Sequence, residues 1–198
     1  MENLASIWER GAVFADLASP DDLEVDELGS RQIKDQRAVA TVSCGSGGVV
    51  GDYVPFYYSA RSPMLYLAYR ENPLSPFKKG QRGLAHLVAH ATDIADAGLP
   101  YALTDRNAAL SLARQSDDLA DLDDLVDWTL QQQQYWHDTD AEPDRMERRM
   151  CEFLVHERFP VELILGIVVI DEEMMERVSV TLAGYHHPTV LVKRDWYY

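Results

Sequence analysis

The sequence predicts an α+β fold. Short runs rich in β-branched residues alternate in no fixed order with short amphipathic segments, and Gly, Pro, Asn and Asp punctuate both. No internal repeat or low-complexity stretch interrupts the pattern, and 198 residues with 46% hydrophobic content suffice for one buried core. One domain over residues 1–198 is expected.

Leu4, Ile7 and Trp8 fall at i, i+3 and i+4 and Gly11 follows as a stop, so residues 3 to 10 read as a short helix. It starts almost at the first residue, which suggests that a preceding strand is absent from this version of the chain. Residues 38 to 44 have the β-branched content of a strand or extended segment, broken by Gly45-Ser46-Gly47-Gly48. No Gly-Lys-Ser/Thr follows those glycines, so they read as a connection and not as a phosphate cradle.

Residues 54 to 58 and 64 to 69 read as two extended segments, with Arg61 held in the short connection between them. A strand is expected over 84 to 89, a brief helix over 92 to 97 ended by Gly98, and a strand over 101 to 104. Helical spacing marks 106 to 115 and 121 to 135, the latter with Leu122, Leu125 and Val126 on one face. A polar loop covers 137 to 144, and strands are expected over 152 to 155 and 166 to 170. Asp171 caps a helix that turns Met175, Val178 and Leu182 inward before Gly184, and residues 189 to 193 close as a strand.

No apolar run has the length of about 18 to 20 residues needed to cross a membrane, and the opening residues do not resemble a signal peptide. A cytoplasmic protein is expected. Cys44 and Cys151 show no CxxC or Cys/His zinc spacing and read as small buried hydrophobes, so no metal is expected. His86 and His90 are four apart, but on a strand that spacing does not make a zinc pair.

A net charge of −15 weighs against a nucleic-acid partner, yet its distribution is uneven. Between Leu28 and His90 stand eight basic residues (Arg31, Lys34, Arg37, Arg61, Arg70, Lys78, Lys79 and Arg82) against Asp35, Asp52 and Glu71, a balance of +5. The stretches 16 to 27 and 117 to 127 each carry six acidic residues and no basic one.

Residues 51 to 69, GDYVPFYYSARSPMLYLAY, closely resemble the segment of DarT-type enzymes in which D-Y-V-P-F-Y and P-R-S-P-M-L-Y occur in this order. Residues 145 to 160, RMERRMCEFLVHERFP, are similar to the family's arginine followed by E-F-L-V and F-P, and the chain ends on a matching Trp196-Tyr197-Tyr198. The likeness spans nearly the whole chain. It implies the ADP-ribosyltransferase fold, two small packed β-sheets around an NAD cleft. It also implies transfer of ADP-ribose from NAD to a base of single-stranded DNA, thymidine in the better-known branch, by a toxin paired with a DarG-like macrodomain antitoxin. None of this is read from composition or spacing.

By the same resemblance Glu152 is the catalytic carboxylate. Breaking a glycosidic bond to a cationic leaving group builds oxocarbenium character, which a carboxylate stabilises, and the same group can take the proton of the attacking ring nitrogen. The plain alternative is a strand-edge Glu paired with Arg148 or Arg149. Arg61 matches the family's active-site arginine, which contacts NAD or positions the acceptor, the alternative being a loop arginine in a surface ion pair. Tyr57 is the aromatic expected against NAD, most of its neighbours being core. Arg145, Arg148 and Arg149, with Lys78, Lys79 and Arg82, are the expected DNA contacts; the plain reading of the arginine trio is a charge cluster balancing nearby acids.

DarT-like chains ordinarily open with a strand bearing a histidine, in a pattern like H-I-T-H, before an N-L-x-x-I helix. Here Asn3 matches the start of that helix and is expected to contact NAD, while the histidine strand is expected to be missing. Transfer to protein or RNA, NAD hydrolysis, and a weakened nucleic-acid or antitoxin-binding module therefore stand as alternatives.

Overall fold

A computed structural model describes residues 3–23, 27, 29–71 and 77–198. Met1 and Glu2, the middle of the first acidic stretch at 24 to 26, and Leu28 lie outside the described residues.

Helix α1 (Leu4–Arg10) forms as its spacing predicts, burying Leu4 and Trp8 and ending at Gly11, which takes the left-handed conformation at φ 72°. Strand β1 (Ala12–Phe14) follows, then the surface helix α2 (Arg31–Arg37), capped by the Ser30 hydroxyl, which accepts from the Ile33 amide. Strand β2 (Tyr53–Tyr57) lies where the β-branched and aromatic run placed it. Residues 38 to 44 form no strand; a single bridge joins Thr41 to Val49.

The segment read as a second extended run is instead helix α3 (Pro63–Tyr69). Ser62 caps it, its hydroxyl accepting from the Leu65 amide, and Pro63 occupies the first turn, where its missing N–H costs nothing. Strand β3 (His86–Val88), helix α4 (Ala91–Asp96) and strand β4 (Tyr101–Thr104) follow as expected. Residues 106 to 114 form turns and not a helix, because Asp105 and Asn107 hold local backbone amides, those of Arg114 and Ala109. After the short strand β5 (Gln115–Ser116), the expected long helix is broken into α5 (Leu122–Leu125) and α6 (Trp128–Gln132), with Asp127 capping the second.

Helix α7 (Arg145–Arg149) leads into strand β6 (Glu152–His156), which turns through Glu157, at φ 59°, into β7 (Arg158–Pro160). Strand β8 (Gly166–Val169), helix α8 (Glu172–Thr181) and strand β9 (Val190–Val192) complete the chain. Asp171 caps α8 through the Met174 amide, and Met174, Val178 and Leu182 are its buried residues, so the inward face is shifted by one from Met175.

Among the described residues the strands make two principal sheets and a ribbon. One sheet runs β2-β6-β4-β5, all antiparallel; the other runs β3-β8-β9, with β8 and β9 parallel across α8; β1 and β7 form the ribbon. Phe153 and Val155 of β6 join Ile167 and Val169 of β8, Leu103 of β4, and Leu4, Trp8, Val178 and Leu182 of the helices in one core. Successive side chains of a strand face opposite ways, so Leu154 enters a second cluster with Val42, Val50, Tyr53 and Ala102. Glu152 shares that second face.

Candidate active site

Glu152 opens β6, is 1% exposed, and stands directly across from Tyr57 at the end of β2. Its amide donates to the Thr104 hydroxyl at 3.0 Å, which in turn donates to the Arg106 carbonyl at 2.7 Å. Its carboxylate is gripped by a residue the sequence did not single out: Arg37 of α2 donates from Nη1 to both oxygens at 3.0 Å. Neither Arg148 nor Arg149 pairs with it. Burial pushes the Glu152 carboxyl above the usual carboxylate range and Arg37 pulls it part of the way back. Burial and the Glu152 charge together push the Tyr57 phenol well above its ordinary value, so it stays protonated.

Arg61 lies in the turn before α3, its guanidinium over the Tyr198 ring at 5.6 Å and its Nε buried without a partner among the described residues. Its carbonyl accepts from Arg149 Nη2 and from the Tyr198 hydroxyl, both at 3.1 Å. Arg149 therefore ties the Arg61 turn to the segment that leads into Glu152. Tyr198 is itself fixed by Trp136 Nε1, which donates to its hydroxyl at 2.8 Å, and by Gln81 at its backbone.

A cleft of about 580 Å³ opens between the two principal sheets. Residues 54 to 60 with Met64 line one wall and residues 84 to 91, along the β3 edge that no described strand pairs, line the other. Tyr57 borders it and thus joins the cleft to the Glu152 corner. Glu152 and Arg61 are not themselves wall residues. His86 is, with its ring edge-on to Trp196 and Tyr197 and its Nε2 buried without a partner among the described residues, and burial pushes its pKa down to about 4.

The expected DNA contacts separate into two groups. Arg149 is 3% exposed and donates to the carbonyls of Leu130, Gln133 and Arg61, so it braces the fold and has no surface to offer a phosphate. Arg148 is held by Asp127, Asp144 and Glu142, and Arg145 by Glu142, Gln133 and the carbonyls of His137 and Tyr135. Arg82 is exposed but bound to Asp171 at 2.8 Å and Glu173 at 2.5 Å. Lys78 and Lys79 are exposed. Asn3 is half-buried at the head of α1, its carbonyl accepting from the Ser6 hydroxyl at 2.9 Å and the Ile7 amide at 3.0 Å, and it does not line the cleft.

The family model described as ssDNA thymidine ADP-ribosyltransferase, DarT, matches residues 1–198. The chain belongs to the DarT family. It is 37% identical over 201 residues to a DNA ADP-ribosyl transferase of Thermus sp. (strain 2.9), an alignment that covers 100% of this chain and 92% of the relative. A DNA ADP-ribosyl transferase of Mycobacterium tuberculosis (strain ATCC 25618 / H37Rv) is 35% identical over 181 residues, covering 91% of this chain and 78% of that one. The solved structure of Thermus sp. 2.9 DarT in complex with ADP-ribosylated ssDNA matches with a TM-score of 0.90 at 37% identity, over 99% of this chain and 91% of that one. The same Thermus DarT in complex with NAD+ matches with a TM-score of 0.86 at 36% identity, over 99% and 92%. The DarT-family fold is thus shown, with its two packed sheets. Among the described residues no helix is long and apolar enough to cross a membrane, and no three His, Cys, Asp or Glu side chains gather as a metal site.

Proposed function

We propose that this chain transfers ADP-ribose from NAD to a base of single-stranded DNA, with thymidine as acceptor and Glu152 as the catalytic residue. The observation that carries this reading is a buried carboxylate in the family's E-F-L-V block, held by an arginine at the end of the sheet that borders the cleft, in a DarT-family chain. NAD is assigned to the cleft, with Tyr57 and Arg61 as its contacts near the reacting centre. The bond between the ribose carbon and nicotinamide breaks, and nicotinamide leaves neutral with the bonding pair. A ring nitrogen of the base gives its electron pair to that carbon, and its proton passes to Glu152.

Lys78 and Lys79 are the assigned contacts to the DNA backbone. Membership of the family supports assigning the chain to the cytoplasm as the toxin of a pair, with a DarG-like macrodomain protein as antitoxin. The test is incubation with NAD and thymidine-containing single-stranded oligonucleotides, read by mass. An added ADP-ribose that disappears in Glu152→Gln is expected; no adduct across varied sequences overturns the reading. The net charge of −15 motivates a second reading, transfer to protein or RNA or hydrolysis of NAD, which the same assay with mixed acceptors separates.

A further inference from the structure

Arg61 is held by one side chain at both of its ends. The Tyr198 hydroxyl donates to the Arg61 carbonyl at 3.1 Å, and the Arg61 guanidinium lies over the Tyr198 ring, 5.6 Å from its centroid. The two residues are 137 positions apart. Tyr198 is itself tightly fixed. Trp136, 3% exposed, donates from Nε1 to its hydroxyl at 2.8 Å, the Tyr66 ring meets its ring edge-on at 5.1 Å, and the Tyr69 ring stacks against it at 5.8 Å. Its main chain is bound twice by the buried Gln81 amide, which accepts from the Tyr198 N–H at 2.9 Å and donates to the Tyr198 carbonyl. Packing alone accounts for a covered ring but not for the arginine above it. Arg61 Nε is buried without a partner among the described residues, and Arg149, whose Nη2 donates to the same Arg61 carbonyl at 3.1 Å, stands close by as a second cation. Two neighbouring cations repel, which favours an arginine that swings out to water; the negative face of the Tyr198 ring opposes that movement.

We propose that Tyr198 is a positioning residue for NAD binding: its ring holds the Arg61 guanidinium and its hydroxyl holds the Arg61 backbone, so that the free donors of Arg61 are preset for NAD. A guanidinium fixed in advance loses less freedom when it meets its ligand, and the difference appears as affinity. Tyr198 does not line the cleft, so it acts only through Arg61. The phenol serves in its protonated form, as donor to the carbonyl. Burial pushes it above its ordinary value, with Trp136 and the two arginines pulling it part of the way back.

This inference rests on Arg61 as an NAD contact, so Arg61→Ala is the first comparison, with the Kd for NAD read by titration calorimetry. Binding weaker by about tenfold is expected. An Arg61→Ala chain that binds NAD as the wild type does refutes that contact and the inference with it. Tyr198→Phe keeps the ring and removes the hydroxyl, whereas Tyr198→Leu removes both. Affinity for NAD should fall about fivefold in the first and about tenfold or more in the second. In the Arg61→Ala background neither change should weaken binding further by more than about twofold. A merely structural role predicts a lower Tm and the same loss of affinity whether or not the Arg61 side chain is present. Wild-type affinity in Tyr198→Phe, or an equal loss in both backgrounds, overturns the inference while a weakened Arg61→Ala leaves the Arg61 contact standing. If Tyr198→Leu melts below the assay temperature, Tyr198→Phe in the two backgrounds decides alone.

Discussion

Replacing Glu152 by Ala removes more than a reactive group. Arg37 would keep its charge at a site where only 12% of its side chain is exposed, with both of its carboxylate bonds gone. Removing one partner of a buried pair costs about 3–5 kcal/mol, and the residual exposure of Arg37 places this case at the lower end, about 3 kcal/mol. For a chain of this size that corresponds to a fall in Tm of about 6–12 °C. Arg37→Met strands the 1% exposed carboxylate instead and should cost about as much at neutral pH. The double variant Glu152→Leu/Arg37→Met removes both charges and should return to within about 1 kcal/mol of wild type, because apolar replacement of a buried pair is often neutral.

Urea unfolding at constant m-value of Glu152→Leu, Arg37→Met and the double variant measures the corners of this cycle, and single losses of about 3 kcal/mol each with a double within about 1 kcal/mol of wild type correspond to a coupling of about 5 kcal/mol. The pH dependence adds a second check. Burial already raises the Glu152 carboxyl above its ordinary value, and loss of Arg37 raises it further. Between the ordinary and the raised value the folded state then binds more protons than the unfolded one, so stability falls as pH rises through that window and is recovered on acidification. Single variants that each cost under about 0.5 kcal/mol and add without coupling would refute this account of the pair. Because Glu152→Ala confounds stability with chemistry, Glu152→Gln is the sounder probe of catalysis.

Arg61→Ala should weaken NAD binding as well as turnover, since a residue that grips substrate acts before the transition state; steady-state KM and kcat with a Tm within about 2 °C of wild type check this. The Tm should hold because the contacts of Arg61 with Arg149 and Tyr198 hydroxyl use its carbonyl. Charge reversal at Lys78 and Lys79 should weaken binding to single-stranded DNA alike for all sequences and reduce the log–log salt slope by about 1.4, two phosphates at about 0.7 each; an unchanged slope moves the path elsewhere. His86, pushed down to about 4 by burial, makes the fold less stable as pH falls from about 6.5 toward 4, since the unfolded chain takes the proton first. His86→Leu should remove that dependence, worth at most about 3 kcal/mol; equal acid sensitivity in both proteins contradicts the burial assignment.

Much of the fold was legible because local signals agreed with tertiary placement. Gly11 after an i, i+3, i+4 run, Asp171 before α8, and the β-branched runs of β2, β4, β6 and β8 all formed as their chemistry requires. The misreading of α3 was avoidable, since Ser62-Pro63 is a capped helix start, but Tyr and Leu content pulled residues 64 to 69 toward strand. Ribbon β1/β7 and helix α7 are too short for any periodicity to reveal. Glu152 was identified by its motif, and the structure adds its burial. Arg37 was invisible as a partner because 115 positions separate it from Glu152 and no local pattern encodes that distance.

The count of basic residues misled for a related reason. A balance of +5 over residues 28 to 90 treats every cation as available, yet Lys34 is bound to Asp16 and Glu27, Arg37 to Glu152, and Arg82 to Asp171 and Glu173. Three of the eight are thus neutralised by carboxylates from outside that stretch, and Arg145 and Arg148 are likewise neutralised by their own neighbours. Arg70, Lys78 and Lys79 are exposed, as are Leu67 and Tyr69 of α3. A single strand presents bases as well as phosphates, and an aromatic or apolar face can hold a base with few charges. The acidic surface and a DNA acceptor are therefore compatible if affinity comes from that mixed face, with phosphate contacts limited to a few.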